Sequence, residues 1–165
     1  MTPLAPPLGK GEMRFWRLDE ALRAPTWDSG EGSFRVGGRW NSPGTRAVYA
    51  SLDPATASLE VAVHKGLEAL DRRAHVLSSA MVYVADAVHV VMPTDVPNPN
   101  WLVPAIASKG QQAFGDELLA SHLFILVPSA VSRHSWNVIF DPVKAAGQYG
   151  DVVQEAFALD PRLQA

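Results

Sequence analysis

Cysteine is absent from the chain. That excludes disulfides, thiolate metal sites and a cysteine nucleophile together, and it fits a reducing, cytoplasmic setting. Histidine is sparse and scattered: the five residues His64, His75, His89, His122 and His134 form no H-x-H or H-x-x-x-H pair, so no metal site is expected. There is no run of lysine and arginine, and the formal net charge is −3. Direct nucleic-acid binding, which calls for a basic face, is therefore not expected. No apolar run approaches the roughly 20 residues of a membrane-spanning helix, so no membrane association is expected either. The phosphate-cradling patterns G-x-x-x-x-G-K-[ST] and G-x-G-x-x-G are missing, which disfavours a P-loop ATPase, a kinase and a Rossmann dehydrogenase. No G-x-S-x-G elbow marks a serine nucleophile.

What remains is a globular composition, 47% apolar and 19% charged over 165 residues, which suits one domain with one core. Residues 1–12 carry three prolines and two glycines and read as a flexible arm, not a secretion signal, ahead of a domain over 13–165. Met13 to Leu18 alternates apolar and basic residues, the pattern of a strand with Phe15 and Met13 on one face. Arg17 then projects either toward a ligand or into a salt bridge on an edge strand. Asp19 to Ala24 reads as a helical turn closed by Pro25, and Trp27 to Gly32 as loop. The stretch Gly37-Gly38-Arg39-Trp40-Asn41-Ser42-Pro43-Gly44 combines turn formers with an arginine beside a tryptophan. Its paired glycines permit unusual backbone angles and let a ligand approach the main chain.

Arg46 to Ser51 is strand-like, with Tyr49 on the face opposite Val48 and Ala50. Asp53-Pro54 starts a helix, Asp as cap and Pro at the first position. The helix is expected to run to about Ala69, with Leu59, Ala62, Val63 and Leu70 toward the core and Glu60 and His64 on a neighbouring face. Two strands follow between His75 and Met92, broken near Asp86. After a loop over Pro93–Pro99, a helix is expected over Trp101–Ala120 with a break near Gly110. Leu123 to Val127 is a short apolar run suited to a buried strand. It leads into Pro128-Ser129, either ordinary turn chemistry or a hydroxyl that orients a neighbour. Trp136 to Phe140 is another strand, in which Asn137 is out of place and needs a hydrogen-bond partner. Asp151 to Leu159 suggests a last short helix. The mixed order of elements indicates an α+β class.

Taken together, the Gly37–Gly44 turn, the strand ending Ala47-Val48-Tyr49-Ala50-Ser51, the helix segment around Glu60, the Pro128-Ser129 strand end and the Asn137–Pro142 stretch resemble the RES domain of bacterial RES–Xre toxin–antitoxin pairs. The resemblance runs from about Phe15 to Pro142. It implies that the family's arginine, glutamate and serine correspond to Arg39, Glu60 and Ser129, that Tyr49 is the family tyrosine, and that Arg17 is a further ligand-side arginine. Where family members carry Asn-Pro with a histidine close behind, this chain has Asp141-Pro142 followed by Val143 and Lys144.

The fold implied is a single compact domain resembling the ADP-ribosyltransferases. The activity implied is cleavage of the bond between nicotinamide and ribose in NAD, which acts as substrate, with no further cofactor. In that reading Glu60 stabilises charge on the ribose, Arg39 and Arg17 hold the pyrophosphate, Tyr49 stacks on nicotinamide or holds the ribose, and Ser129 positions the ribose or Glu60. The implied partner is a Xre-type DNA-binding antitoxin whose tail occludes the cleft, in a complex compatible with a homo-oligomer. Two rival expectations stand beside it: an ADP-ribosyltransferase with a protein acceptor, and an inactive module that only binds the antitoxin.

Overall fold

The structure, a computed structural model, describes residues 13–164; the arm expected over 1–12 lies outside them. Seven strands form one sheet: β1 (Met13–Glu20), β2 (Val48–Ser51), β3 (His75–Val82), β4 (His89–Val90), β5 (Phe124–Pro128), β6 (Trp136–Phe140) and β7 (Tyr149–Phe157). Their spatial order is β4-β5-β6-β2-β1-β3-β7. All neighbours are antiparallel except β4 and β5, so the class is α+β with a mixed sheet. β1 sits inside the sheet, not at its edge. Arg17 is nonetheless ion-paired, to Asp19.

Side-chain alternation divides the strands between two cores. Phe124, Leu126, Val138, Phe140, Val48 and Ala50 pack with Phe15 and Trp27 on one face. Ile125, Val127, Ile139 and Ala47 pack with Trp40 and Leu119 on the other, against which Tyr49 also lies. On that second face the aligned row Tyr49–Ile139–Ile125 is followed by the row Ser51–Asn137–Val127. The sheet surface thus turns from apolar to polar within one step.

Four α-helices complete the domain: α1 (Glu31–Val36), α2 (Pro54–Lys65), α3 (Leu67–Arg72) and α4 (Lys109–Ser121). α2 starts as expected, with Asp53 accepting from the Thr56 N–H. It stops earlier than expected because Gly66 takes a positive φ of 83°, a conformation that breaks the helix before α3. Its orientation is also a correction. Leu59 and Val63 are 42% and 56% exposed, whereas Thr56 and Ala57 are buried. The small residues let the helix lie close on β1 and β2. At 100° per residue, Glu60 falls between Thr56 and Ala57 on this inward arc. The carboxylate is therefore carried toward the sheet, where the spacing of larger apolar residues had placed it at a border.

Three further expectations differ. Glu31–Val36 is a short helix that begins inside the stretch expected to be loop, Trp27 to Gly32. α4 begins at Lys109, capped by Ser108, so Gly110 lies in its first turn and breaks nothing; Pro99–Leu102 is a separate 3₁₀ turn. Asp151 to Phe157 belongs to β7, not to a helix, because the open edge of β3 offers it an antiparallel ladder, broken once by a register shift between Ser79 and Met81, and Val152 and Val153 suit a strand. At the Asp141-Pro142 corner, the Asp141 carboxylate accepts from the Val143 N–H, while Lys144 Nζ donates to the Leu119 and Ala120 carbonyls at the end of α4. A lysine there satisfies free helix-end carbonyls and complements the helix dipole.

Candidate functional site

The Gly37–Gly44 turn is tied by several side-chain hydrogen bonds. Asn41 is fully buried. Its amide donates to the Ser33, Ser42 and Thr45 carbonyls, and its Oδ1 accepts from the Tyr49 hydroxyl at 2.7 Å. The same hydroxyl accepts the Trp40 N–H at 2.9 Å. Gly37 has a φ of 77°. Gly38 is required for a different reason: a Cβ there would stand 2.6 Å from the Tyr49 oxygen. The close approach that its missing side chain permits is thus made by the protein's own tyrosine. Burial pushes the Tyr49 phenol well above its ordinary range, so it stays neutral.

The Tyr49 hydroxyl is therefore committed to the turn, and what the residue keeps for a ligand is its half-buried ring. Tyr49→Phe is expected to destabilise the protein by about 2–3 kcal/mol, because it strands a buried N–H and a buried amide oxygen. Urea denaturation checks this, and an unchanged midpoint would contradict it.

Trp40 buries its ring in the second core, while Arg39 beside it is half-buried. Arg39 Nη1 donates to the Trp101 and Val103 carbonyls at 3.0 and 3.3 Å, and Nη2 donates to the Ala105 carbonyl at 3.0 Å. A guanidinium has five donors, so two remain for a ligand. Burial lowers its pKa, opposed by the nearby charge of Glu60; the two side chains share one electrostatic neighbourhood. Arg17 lies further back: Nη1 donates to the Tyr49 carbonyl at 2.8 Å and Nη2 pairs with Asp19 at 2.9 Å. It braces β1 against β2 beneath the site, while its buried Nε has no partner among the described residues.

Glu60 and Ser129 meet directly, with Ser129 Oγ donating to Glu60 Oε1 at 3.0 Å. Ser129 is 2% exposed, and its oxygen also accepts the Val131 and Ser132 N–H groups. The turn chemistry and the orienting role seen as alternatives in the sequence are thus both present. Two residues absent from the expected site join it. Asn137 Nδ2 donates to Glu60 Oε1 at 2.6 Å, and Ser51 Oγ donates to Asn137 Oδ1 at 2.8 Å. Asn137 had a signal, an amide inside an apolar strand. Ser51 had none beyond its place on the Tyr49 face.

His64 Nε2 stands 3.6 Å from Glu60 Oε2, an ion-pair separation. Burial pushes the Glu60 carboxyl up, but His64, Asn137 and Ser129 together hold it below its ordinary value. Glu60 in turn raises His64, against burial and the Arg39 charge. The His64 contribution is fully present below the imidazole's ordinary value, as long as Glu60 stays ionised, and is lost as pH rises through the raised folded value. In an NMR titration His64 should therefore titrate above about 6.5 in the wild type and lower in Glu60→Gln. Equal midpoints would contradict the pairing.

Among the described residues no cluster of three metal-binding side chains occurs, and no helix is long and apolar enough to cross a membrane. The arrangement is an ionised, anchored carboxylate with a cation beside it. It suits a substrate that develops positive charge and carries anionic groups.

Comparison with known proteins identifies the family. A sequence profile described as the RES domain matches residues 14–160. The chain is 30% identical over 138 residues to "Toxin Res" of Pseudomonas putida, covering 82% of this chain and 91% of that protein. It is 29% identical over 154 residues to "Toxin Res" of Photorhabdus laumondii, covering 92% and 97%. Its fold is similar to a chain in the crystal structure of the M. tuberculosis MbcT–MbcA toxin–antitoxin complex. The TM-score is 0.61 at 21% identity, covering 92% of this chain and 86% of that chain.

Proposed function

The chain belongs to the RES-domain family, and from that premise we propose that it is the toxin of a toxin–antitoxin pair and arrests growth by consuming NAD. The observation that carries the chemistry is the state of Glu60: its carboxyl is held low, tied through Oε1 to Ser129 and Asn137, and lies within electrostatic reach of the Arg39 guanidinium.

Breaking the nicotinamide–ribose bond sends its electron pair to the pyridinium nitrogen, releases neutral nicotinamide, and leaves an oxocarbenium-like ribose. A carboxylate close to the ribose hydroxyls stabilises that charge more as it grows, which lowers the barrier and not merely the binding energy. An oxygen of water or phosphate then bonds to the anomeric carbon of the ribose, and the proton of an attacking water passes to solvent. Arg39 would hold the pyrophosphate with its two remaining donors. Arg17 would act from behind, by holding the β2 backbone at Tyr49. Tyr49 would stack on the nicotinamide side.

The proposed partner is an antitoxin, of the Xre type, that covers this site. The exposed Leu59 and Val63 beside Glu60, and Val103 and Ile106 on the segment that holds Arg39, supply an apolar rim for such a cover.

Inducible expression tests the proposal. Growth should stop as cellular NAD falls, co-expression of the antitoxin should restore both, and Glu60→Gln should be harmless. Growth arrest with NAD unchanged would overturn NAD consumption as the cause. NAD loss confined to one labelled protein acceptor would instead identify an ADP-ribosyltransferase.

A further inference from the structure

We infer that Asn137, locked by Ser51, is a positioning residue that decides which oxygen of Glu60 faces the substrate. The inference rests on Glu60 being the reacting carboxylate.

The two carboxylate oxygens are not equivalent. Oε1 accepts from Asn137 Nδ2 at 2.6 Å and from Ser129 Oγ at 3.0 Å, whereas Oε2 has His64 beside it at 3.6 Å and no other polar partner among the described residues. The direction of every proton in this network follows from counting. Ser129 has its lone pairs occupied by the Val131 and Ser132 N–H groups, so its one hydrogen is left for Glu60. Asn137 has its carbonyl oxygen engaged by the Ser51 hydroxyl, which leaves the NH₂ group for the carboxylate. A flipped amide would set its oxygen against an ionised carboxylate, so charge and hydrogen bonding select the same orientation. Both donors converge on Oε1, and Oε2 remains the oxygen that a ribose hydroxyl can reach.

The sheet explains why an asparagine is placed in a strand that otherwise favours apolar residues. Asn137 pairs with Ser51 on β2 and Val127 on β5, in the first polar row of the second face. A leucine or valine would continue the strand but would leave Oε1 with one donor. The charged groups facing Glu60 are His64, from the same helix, and Arg39, from the glycine-rich turn. Neither contacts Oε1.

The test combines Asn137→Leu and Ser51→Ala with ¹³C-carboxyl labelling of glutamate, the Glu60 signal being assigned by its loss in Glu60→Gln. Asn137→Leu should raise the Glu60 titration midpoint and move the acid limb of the kcat–pH profile with it. It should lower kcat about ten- to a hundredfold, as expected for one charge-assisted hydrogen bond, and leave KM within about threefold. Ser51→Ala, which removes one buried hydroxyl with little change of shape, should move the same quantities less and in the same direction. Should Asn137→Leu fail to fold, Ser51→Ala alone decides. A Glu60 midpoint and acid limb unmoved in the folded variants would overturn the positioning role. Wild-type protein that leaves NAD intact would overturn the NAD reading alone, since the carboxyl titration does not depend on activity.

Discussion

Glu60→Gln should leave a protein that melts within a few degrees of the wild type and consumes NAD at least about a thousandfold more slowly. The fold survives because the amide keeps the shape of the carboxylate. Its carbonyl oxygen can still accept from Ser129 and Asn137 at the Oε1 position, with its NH₂ group toward His64. What disappears is the negative charge that matches the growing positive charge of the ribose. The pH dependence of stability should change as well. The Glu60 carboxyl is held low in the folded protein, so its ionised form stabilises the fold above the ordinary carboxylate range and that contribution is lost as pH falls through the folded value. Glu60→Gln removes this acid-side slope. Thermal melts from pH 3 to 8 beside an NAD assay check both halves. Retained turnover would remove Glu60 from the chemistry, and an unfolded variant would make it structural.

The second large effect lies away from the carboxylate. Gly115, in the middle of α4, lies against the backbone of Trp40: a Cβ at that position would stand 2.0 Å from the Trp40 carbonyl oxygen. Neither a helix backbone nor a turn tied by Asn41 and Tyr49 gives way cheaply. Gly115→Ala should therefore cost about 3 kcal/mol and displace the neighbouring Arg39, raising KM for NAD. Gly110→Ala is the control on the same helix. There the nearest atom to the added Cβ is a Trp101 ring carbon at 3.4 Å, an ordinary contact, so the usual helix preference for alanine should leave stability unchanged or raise it by up to about 1 kcal/mol. Guanidinium denaturation of the two variants should give shifts of opposite sign or clearly unequal size. Equal shifts would mean that the Gly115–Trp40 contact does not hold the turn.

The elements most legible in the sequence were those with strong local codes. The Asp53-Pro54 helix start, the apolar β5 run and β6 over Trp136–Phe140 appear as read. β7 is not legible as a strand in its own sequence because its register comes from the open edge of β3, a partner far away in sequence. The face of α2 was misread for a related reason: helical spacing reports which residues are large, but close packing on a sheet selected Thr56 and Ala57 because they are small. Within the site, the out-of-place Asn137 announced an unmet hydrogen bond without naming Glu60 as its acceptor. The glycine-rich turn was legible as a special backbone, but not the use made of it. Gly38 yields to the Tyr49 hydroxyl, and the turn's rigidity, more than its openness, is what holds out Arg39.

The most direct measurement is mass spectrometry of purified protein incubated with NAD and no acceptor protein, with and without inorganic phosphate. NAD consumption at this site should release free nicotinamide in amounts equal to the ADP-ribose or phosphorylated ADP-ribose formed, with neither product from Glu60→Gln. Intact NAD in the presence of the folded wild-type protein, or equal product from the Glu60→Gln variant, would contradict it.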